Sequence, residues 1–227
     1  MQLGSTGIWS IELRMADPYE IGDAAAELDE LGWGTLWIPG LGGGDILGDS
    51  ERLLRATRTA KVAVGVASIW RHQAAEIAAG HARLQDAHGH RHLLGLGVSD
   101  PAAAQHAGQP YRPLAEMGSY LDTLDQAPAP VPPGERLLAA LGLLRPFLGM
   151  DHYARSLRRQ GFAEEELTYG GSDRLVDSIV AWGDLETIGA RVQAHHQAGA
   201  DHVCLHVVGA GPGMPLPQWR ELAPLTT

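Results

Sequence analysis

Eleven histidines, six tryptophans and a single cysteine are the residues of this 227-residue chain with most chemistry to offer. His88-x-His90-x-His92 alternates, His195 and His196 adjoin, and His202 and His206 share a face if their segment is a strand. No acidic or cysteine partner completes a recognisable zinc pattern around them, so solvated or hydrogen-bonded histidines are expected and no metal site. Gly95-x-Gly97-x-Ser99 offers small residues past which backbone amides could approach an anionic or polar ligand. The same glycines could equally serve close packing. No third glycine opens a helix there, so the run is not a dinucleotide fingerprint. Gly42-Gly43-Gly44 lacks the Lys-Ser/Thr of a phosphate loop and reads as a loop.

The bulk numbers narrow the setting. A net charge of −10 leaves no basic stripe to neutralise phosphates, which argues against a nucleic-acid partner. Cys204 alone cannot form a disulfide within the chain, which suits a reducing cytoplasm. No charged leader precedes an apolar run at the N-terminus, and no stretch of roughly 18 apolar residues suggests a membrane span.

The elements that must position these residues follow from the alternation of short apolar runs with amphipathic stretches. That alternation predicts βα units and a mainly parallel sheet. Strands are expected at 6–13, 35–39, 62–70, 92–98, 136–142 and 201–208. Asp17, Pro18 and Glu20 give the start signals of a helix ended by Gly32. Ser50 is expected to cap a helix to about residue 60, and further helices are expected at 74–87 and 113–125. The proline-rich 126–135 reads as a surface loop. From residue 144 the rhythm breaks into three consecutive helices (144–160, 173–182 and 185–198) before the last strand, with a short helix at 217–222.

In α/β barrels the functional groups stand at the C-terminal ends of the strands. That rule nominates Trp9, Ser10 and Glu12 from strand one, and Trp37, Pro39 and Gly40 from strand two. Strand three offers Ser68, Ile69 and Trp70, and strand four Gly97, Ser99 and Asp100. Trp9, Trp37 and Trp70 are the aromatics that could line a substrate pocket. His72 and His106 lie near the expected mouth and, with Glu12, are the acid/base candidates.

Several stretches together resemble the luciferase-like monooxygenase superfamily, and within it the oxidoreductases that use the 5-deazaflavin coenzyme F420. They are Leu31-Gly32 before Thr35-Leu36-Trp37-Ile38, then 65–69 (GVASI), 94–99 (LGLGVS), 170–183, 199–204 (GADHVC) and 218–224. The resemblance implies an α/β, TIM-barrel-like fold as a single domain over 1–227. It also implies an internal deletion near 143–145, which leaves about six parallel strands instead of eight. It implies coenzyme F420, or FMN in its place, held by Gly40, Ser68, Ile69, Gly97, Val98 and Ser99. The matching dipeptide in such relatives often carries a non-proline cis peptide, expected here at Ser68-Ile69. Where relatives place an acidic or histidine residue near the end of strand two, this chain has Pro39-Gly40. A small-molecule substrate and a homodimer covering the missing wall are expected.

Three functions are compatible with these residues. One is an oxidoreductase moving a hydride between the cofactor and a small organic substrate. The others are a non-catalytic flavin or deazaflavin binder, and a scaffold kept for interaction alone, since a fold does not carry a function by itself.

Overall fold

A computed structural model describes residues 1–40, 44–98, 101–138, 151–168 and 171–226, without the side chains of 151–153. The expected loop glycines Gly42 and Gly43, together with Ser99, Asp100 and the break near 143–145, lie outside the described residues. The chain packs as two compact units, Met1–Ala139 with Asp201–Thr227, and Ala140–Ala200.

The first unit holds a sheet of six parallel strands. They are β1 (Thr6–Trp9), β2 (Thr35–Ile38), β3 (Lys61–Ser68), β4 (His92–Gly97), β5 (Arg136–Leu138) and β6 (Val203–Leu205). Their order is β5-β4-β3-β2-β1-β6, so β5 and β6 stand at opposite ends of the sheet. This is an α/β, TIM-barrel-like arrangement with six strands instead of eight.

Local chemistry explains the helices between them. In α2 (Pro18–Glu30) Asp17 accepts from the Tyr19 amide, and Ile21, Ala24, Ala25 and Leu28 form the buried stripe. Gly32, at φ +89°, follows the helix end. The expected start of α3 is corrected: it spans Ile46–Ala56 and Asp45, not Ser50, caps it. Ser50 lies inside the helix, where its buried hydroxyl donates to the Ile46 carbonyl at 2.8 Å. The expected strand 6–13 is also shorter. Beyond Trp9 the chain turns into the short α1 (Glu12–Met15), because the Ser10 hydroxyl accepts the Glu12 amide at 3.1 Å. Helices α4 (Ala74–His88), α5 (Pro101–His106), α6 (Pro113–Asp125) and α10 (Leu216–Leu222) complete the unit.

Strand alternation gives the sheet two faces. Ile8, Leu36, Ile38, Val62, Val64, Leu94 and Leu96 pack outward with the helices in the main core. Trp37, Ala63 and Leu93, with Leu3 and Trp9 against them, cluster on the inner face. Asp29 stitches α2 to the start of β3 by accepting the amides of Arg58, Thr59 and Ala60. Burial alone would raise its pKa, but these hydrogen bonds outweigh it and keep the carboxylate charged.

The second unit is helical among its described residues: α7 (Asp151–Arg159), α8 (Asp173–Ile179) and α9 (Leu185–Gln197). Ser172 caps α8 and Asp184 caps α9. Its small core joins Ala154, Phe162, Leu167 and Leu175, and Arg174 stacks over the Phe162 ring at 4.5 Å.

A histidine clasp ties β5 to the rest of the first unit. The Glu135 carboxylate bonds His81 Nε2 at 3.0 Å and His90 Nδ1 at 2.9 Å, while His81 Nδ1 meets His92 Nδ1 at 2.9 Å. A carboxylate only accepts, so His81 donates from Nε2, accepts at Nδ1, and requires His92 to donate from its own Nδ1. Protonating His81 would set two N–H groups against each other. Protonating His92 would place a proton on Nε2, which is buried and has no partner.

Burial holds the His92 pKa down to about 3, and lowers that of His81 against the opposing pull of Glu135. Both folded-state values lie below the ordinary 6.5, so the unfolded chain takes up protons first. Stability present above pH 6.5 is therefore lost as pH falls from there toward about 3. The slope is about 1.4 kcal/mol per pH unit for each such group. Chemical unfolding between pH 7 and 4 will show this fall, and His92→Asn, which keeps a donor at the Nδ1 position, will show a shallower one. Equal slopes for the two proteins would refute the clasp as its source.

Candidate functional site

The C-terminal ends of β1, β3, β4 and β6 bring together the residues with chemistry to spare. The deciding feature is an irregularity in β3. Val64 pairs with Leu94 but Ala67 pairs with Leu96, so β3 carries one residue more than its partner. A bulge of one residue flips every side chain after it to the other face. Ala67 thereby joins the outer core, and Ser68 pairs with inward-facing Gly97.

The cis peptide expected at Ser68-Ile69 is corrected by the structure, which has it at Gly65-Val66, inside the bulge. Gly65 suits that position, because a Cβ there would stand 3.0 Å from the Trp37 ring. Ser68 is 8% exposed and its hydroxyl has no partner among the described residues. Such a group costs about 1–3 kcal/mol when nothing satisfies it. Ile69 is buried and its amide donates to the Gly97 carbonyl at 3.1 Å, which extends the β3–β4 pairing.

The glycine at 40 has a packing reason. A Cβ on Gly40 would stand 2.0 Å from the Val66 carbonyl oxygen, and one on Gly95 would stand 2.0 Å from that of Val64. Both keep the bulge of β3 close to its neighbours. Val98 is half-buried, and its carbonyl accepts from the Trp70 indole, whose ring lies 6.3 Å from Tyr111. Ser99, the last of the expected cofactor residues, lies outside the described residues.

The tryptophans divide. Trp37 is 6% exposed and donates to His202 Nε2 at 3.1 Å, while His202 Nδ1 meets the Gly4 carbonyl at 2.8 Å. Gly4 precedes β1 and His202 precedes β6, so this pair ties together the N-terminal ends of the strands. Trp9, in contrast, ends β1. Its indole donates to the Gly65 carbonyl at 3.2 Å, and its ring meets His206 edge-on at 4.6 Å.

The acid/base candidates also separate. His106 is exposed and bonds the Ala102 carbonyl of its own helix at 2.7 Å, which uses its Nδ1 locally. His72 is half-buried and its Nε2 has no partner among the described residues. Burial, then the charges of Arg14 and Arg71, lower its pKa, so it is neutral at pH 7. Glu12 accepts from the Ser10 hydroxyl, which in turn accepts the Glu12 amide.

Two residues here are not among the acid/base or binding candidates of the sequence, although the spacing of His202 and His206 puts them on one face of a strand. His206 follows β6, and its buried Nδ1 has no partner among the described residues. Burial lowers its pKa and the Glu12 carboxylate raises it, with burial the larger effect. Arg14 is buried on α1, donating to Asp49 at 2.8 Å and to the Pro39 carbonyl at 2.7 Å, and so fixes the end of β2. The sequence places Asp49 thirty-five positions from Arg14 and gives no sign of the pair. No group of three or more His, Cys, Asp or Glu among the described residues is arranged to hold a metal ion, and no described helix is long and apolar enough to cross a membrane.

Comparison with known proteins supports the fold. No protein-family model matches the sequence, and no curated protein sequence matches it. Solved structures do. The coenzyme F420-dependent tetrahydromethanopterin reductase of Methanopyrus kandleri is 13% identical, with a TM-score of 0.70 over 97% of each chain. An F420-dependent secondary alcohol dehydrogenase, solved with an F420–acetone adduct, is 10% identical, with a TM-score of 0.63 over 99% of each chain. The oxygenating constituent of 3,6-diketocamphane monooxygenase from Pseudomonas putida, solved with FMN, is 12% identical. Its TM-score is 0.59 over 99% of this chain and 97% of that one. The chain shares the α/β, TIM-barrel-like fold of these structures.

The packing account of Gly40 makes a prediction independent of any ligand. Gly40→Ala will lower stability by about 1–3 kcal/mol, the usual range for forcing atoms into a filled site. Thermal unfolding of the ligand-free protein checks this, and an unchanged midpoint would refute it.

Proposed function

We propose that this chain is an oxidoreductase that moves a hydride between coenzyme F420, with FMN as the alternative, and a small organic substrate. The observation that carries the reading is that three of the buried polar atoms without a partner among the described residues lie at or just beyond the C-terminal ends of strands. They are Ser68 Oγ and His72 Nε2 for β3, and His206 Nδ1 for β6. In an α/β sheet that edge is where ligands bind. The likeness in fold to F420- and FMN-dependent enzymes supports the same choice.

The residues present fit such a group. Ser68 offers a buried hydroxyl to a polar ring edge, and Trp9 offers a flat apolar wall. Gly97 and Val98 would line the β4 side of the ring. Arg71, exposed just after β3, would meet an anionic tail. When bound, a deazaflavin supplies a two-electron hydride donor or acceptor. The protein's part is to orient the ring and substrate, to exclude water and to handle the accompanying proton.

Fluorescence titration of the full chain with coenzyme F420 and with FMN tests this reading. Saturable binding of F420, weakened at least tenfold by Arg71→Glu, is expected, a loss of about 1.4 kcal/mol. Binding of neither cofactor below about 100 µM, a weak affinity of roughly −5.5 kcal/mol, would overturn it.

The sheet edges β5 and β6, which are not paired with each other among the described residues, favour a homodimer that covers them. Light scattering at micromolar concentration is expected to give twice the chain mass, and a folded monomer would refute it.

A further inference from the structure

We propose that β5 and β6, the strands by which the chain leaves the first unit and returns to it, are held by two acid-released histidine locks, so that a fall in pH frees both while β1 to β4 stay paired. The device is independent of any cofactor.

The path of the chain singles out these strands. The first unit comprises Met1–Ala139 and Asp201–Thr227, so β5 is its last strand before the second unit and β6 its first strand after it. Each has three residues and stands at an edge of the sheet, pairing along one side only among the described residues, β5 with β4 and β6 with β1. So few pairs hold an edge strand weakly, and side chains have to add to them.

A histidine does so at each. Beside β5, His81 of α4 donates from Nε2 to Glu135 at 3.0 Å and accepts at Nδ1 from His92 of β4 at 2.9 Å. Beside β6, His202 donates from Nδ1 to the Gly4 carbonyl at 2.8 Å and accepts at Nε2 from the Trp37 indole at 3.1 Å. Its ring lies against bare Gly7 of β1, where a Cβ would stand 2.8 Å from Nε2. Each ring therefore uses one nitrogen as donor and one as acceptor, and the acceptor faces an N–H group. A proton on that nitrogen sets two donors against each other and breaks the lock.

The surroundings decide how readily the proton arrives. Burial lowers the His81 pKa, Glu135 pulls it up and His90 pushes it down, with burial the largest effect. Burial, with His81 beside it, holds His92 down to about 3. Arg136, the cation at the start of β5, is spent on Asp125 of α6. Both folded-state values lie below the ordinary 6.5, so the hold on β5 is present above pH 6.5 and is lost as pH falls from there. Around His202 stand the Gly4 carbonyl and the Trp37 indole, which do not titrate, with Asp201 its charged neighbour in the chain. Release of β6 also parts His206 from Trp9.

Hydrogen exchange of the ligand-free full chain tests this. It is followed by mass spectrometry from about pH 8 to 5.5 and corrected for the intrinsic rate at each pH. Segments spanning β5 and β6 are expected to open about tenfold more for each pH unit below 6.5. At pH 5.5 they are expected to exchange about a hundredfold faster than β2 and β3, which open only with the whole fold. His202→Gln, whose amide keeps an acceptor and a donor but does not titrate, is expected to flatten the pH dependence at β6 and to leave that at β5 intact. His81→Gln is expected to do the reverse. Trp37→Phe removes the donor that opposes the proton on His202, and is expected to flatten β6 as well.

Exchange of β5 and β6 that does not change with pH, or that matches β2 and β3 throughout, would overturn the inference. So would a β6 profile unchanged in His202→Gln and in Trp37→Phe. None of these outcomes bears on the proposed function, which stands or falls on cofactor binding.

Discussion

The pairing of β6 with β1 is the interaction on which the candidate site depends. Thr6, Gly7 and Ile8 run in register with Val203, Cys204 and Leu205, and the Val203 amide donates to the Ser5 carbonyl at 2.9 Å. Nearly two hundred residues separate these strands, so the loop entropy of bringing them together must be met by more than three register pairs. Around them Thr6 donates to the Leu225 carbonyl at 3.1 Å, and Arg220 of α10 pairs with Glu27 of α2. Gly7 is bare for a reason: a Cβ there would stand 2.8 Å from His202 Nε2 and 2.7 Å from the Thr35 carbonyl. Without this seam Trp9 would have no His206 beside it.

The β3 bulge is the second decision. One extra residue between Val64 and Ala67 exchanges the two faces of the strand beyond it, and puts Ser68 on the inner face, whereas simple alternation would have put it on the outer face among the helices. Gly40 and Gly95 are the complement of that bulge, since both face its carbonyls at distances no side chain tolerates. Their smallness belongs to packing first. Whatever a ligand gains from the open backbone nearby is a consequence of a sheet that had to be locally distorted.

Two groups of histidines show one physical cause used in two ways. Burial disfavours the charged imidazole in the clasp and at the strand ends alike. In the clasp the ring nitrogens of His81 are spent on His92 and Glu135, so neutrality fixes one tautomer and holds the edge strand. At the strand ends His72 and His206 each keep a nitrogen unpartnered among the described residues. The first arrangement ties the edge strand through His81, although His92 Nε2 there is likewise without a partner among the described residues. The difference lies in the neighbours, since the residue type and its burial are shared.

Much of the fold was legible in the sequence because it rests on local signals. Hydrophobic runs bounded by turn residues marked all six strands within a few positions, and Asp17 announced its helix. The wall was also legible: strand order follows chain order from β1 to β5, as βα units require. Of the residues named from strand ends, Trp9 and Ser68 end β1 and β3, whereas Glu12 begins α1 and His72 lies in the turn after β3. What the sequence could not carry were the non-local facts. It could not show that Asp45 takes the cap from Ser50, that Trp37 turns to His202, or that Arg14 finds Asp49. Nor could it show that a bulge reverses β3 or that His206 meets Trp9. Periodicity determines which face a residue takes within one element. Which residues from distant elements meet is fixed only when the strands pair, because register and close approach are properties of the assembled sheet.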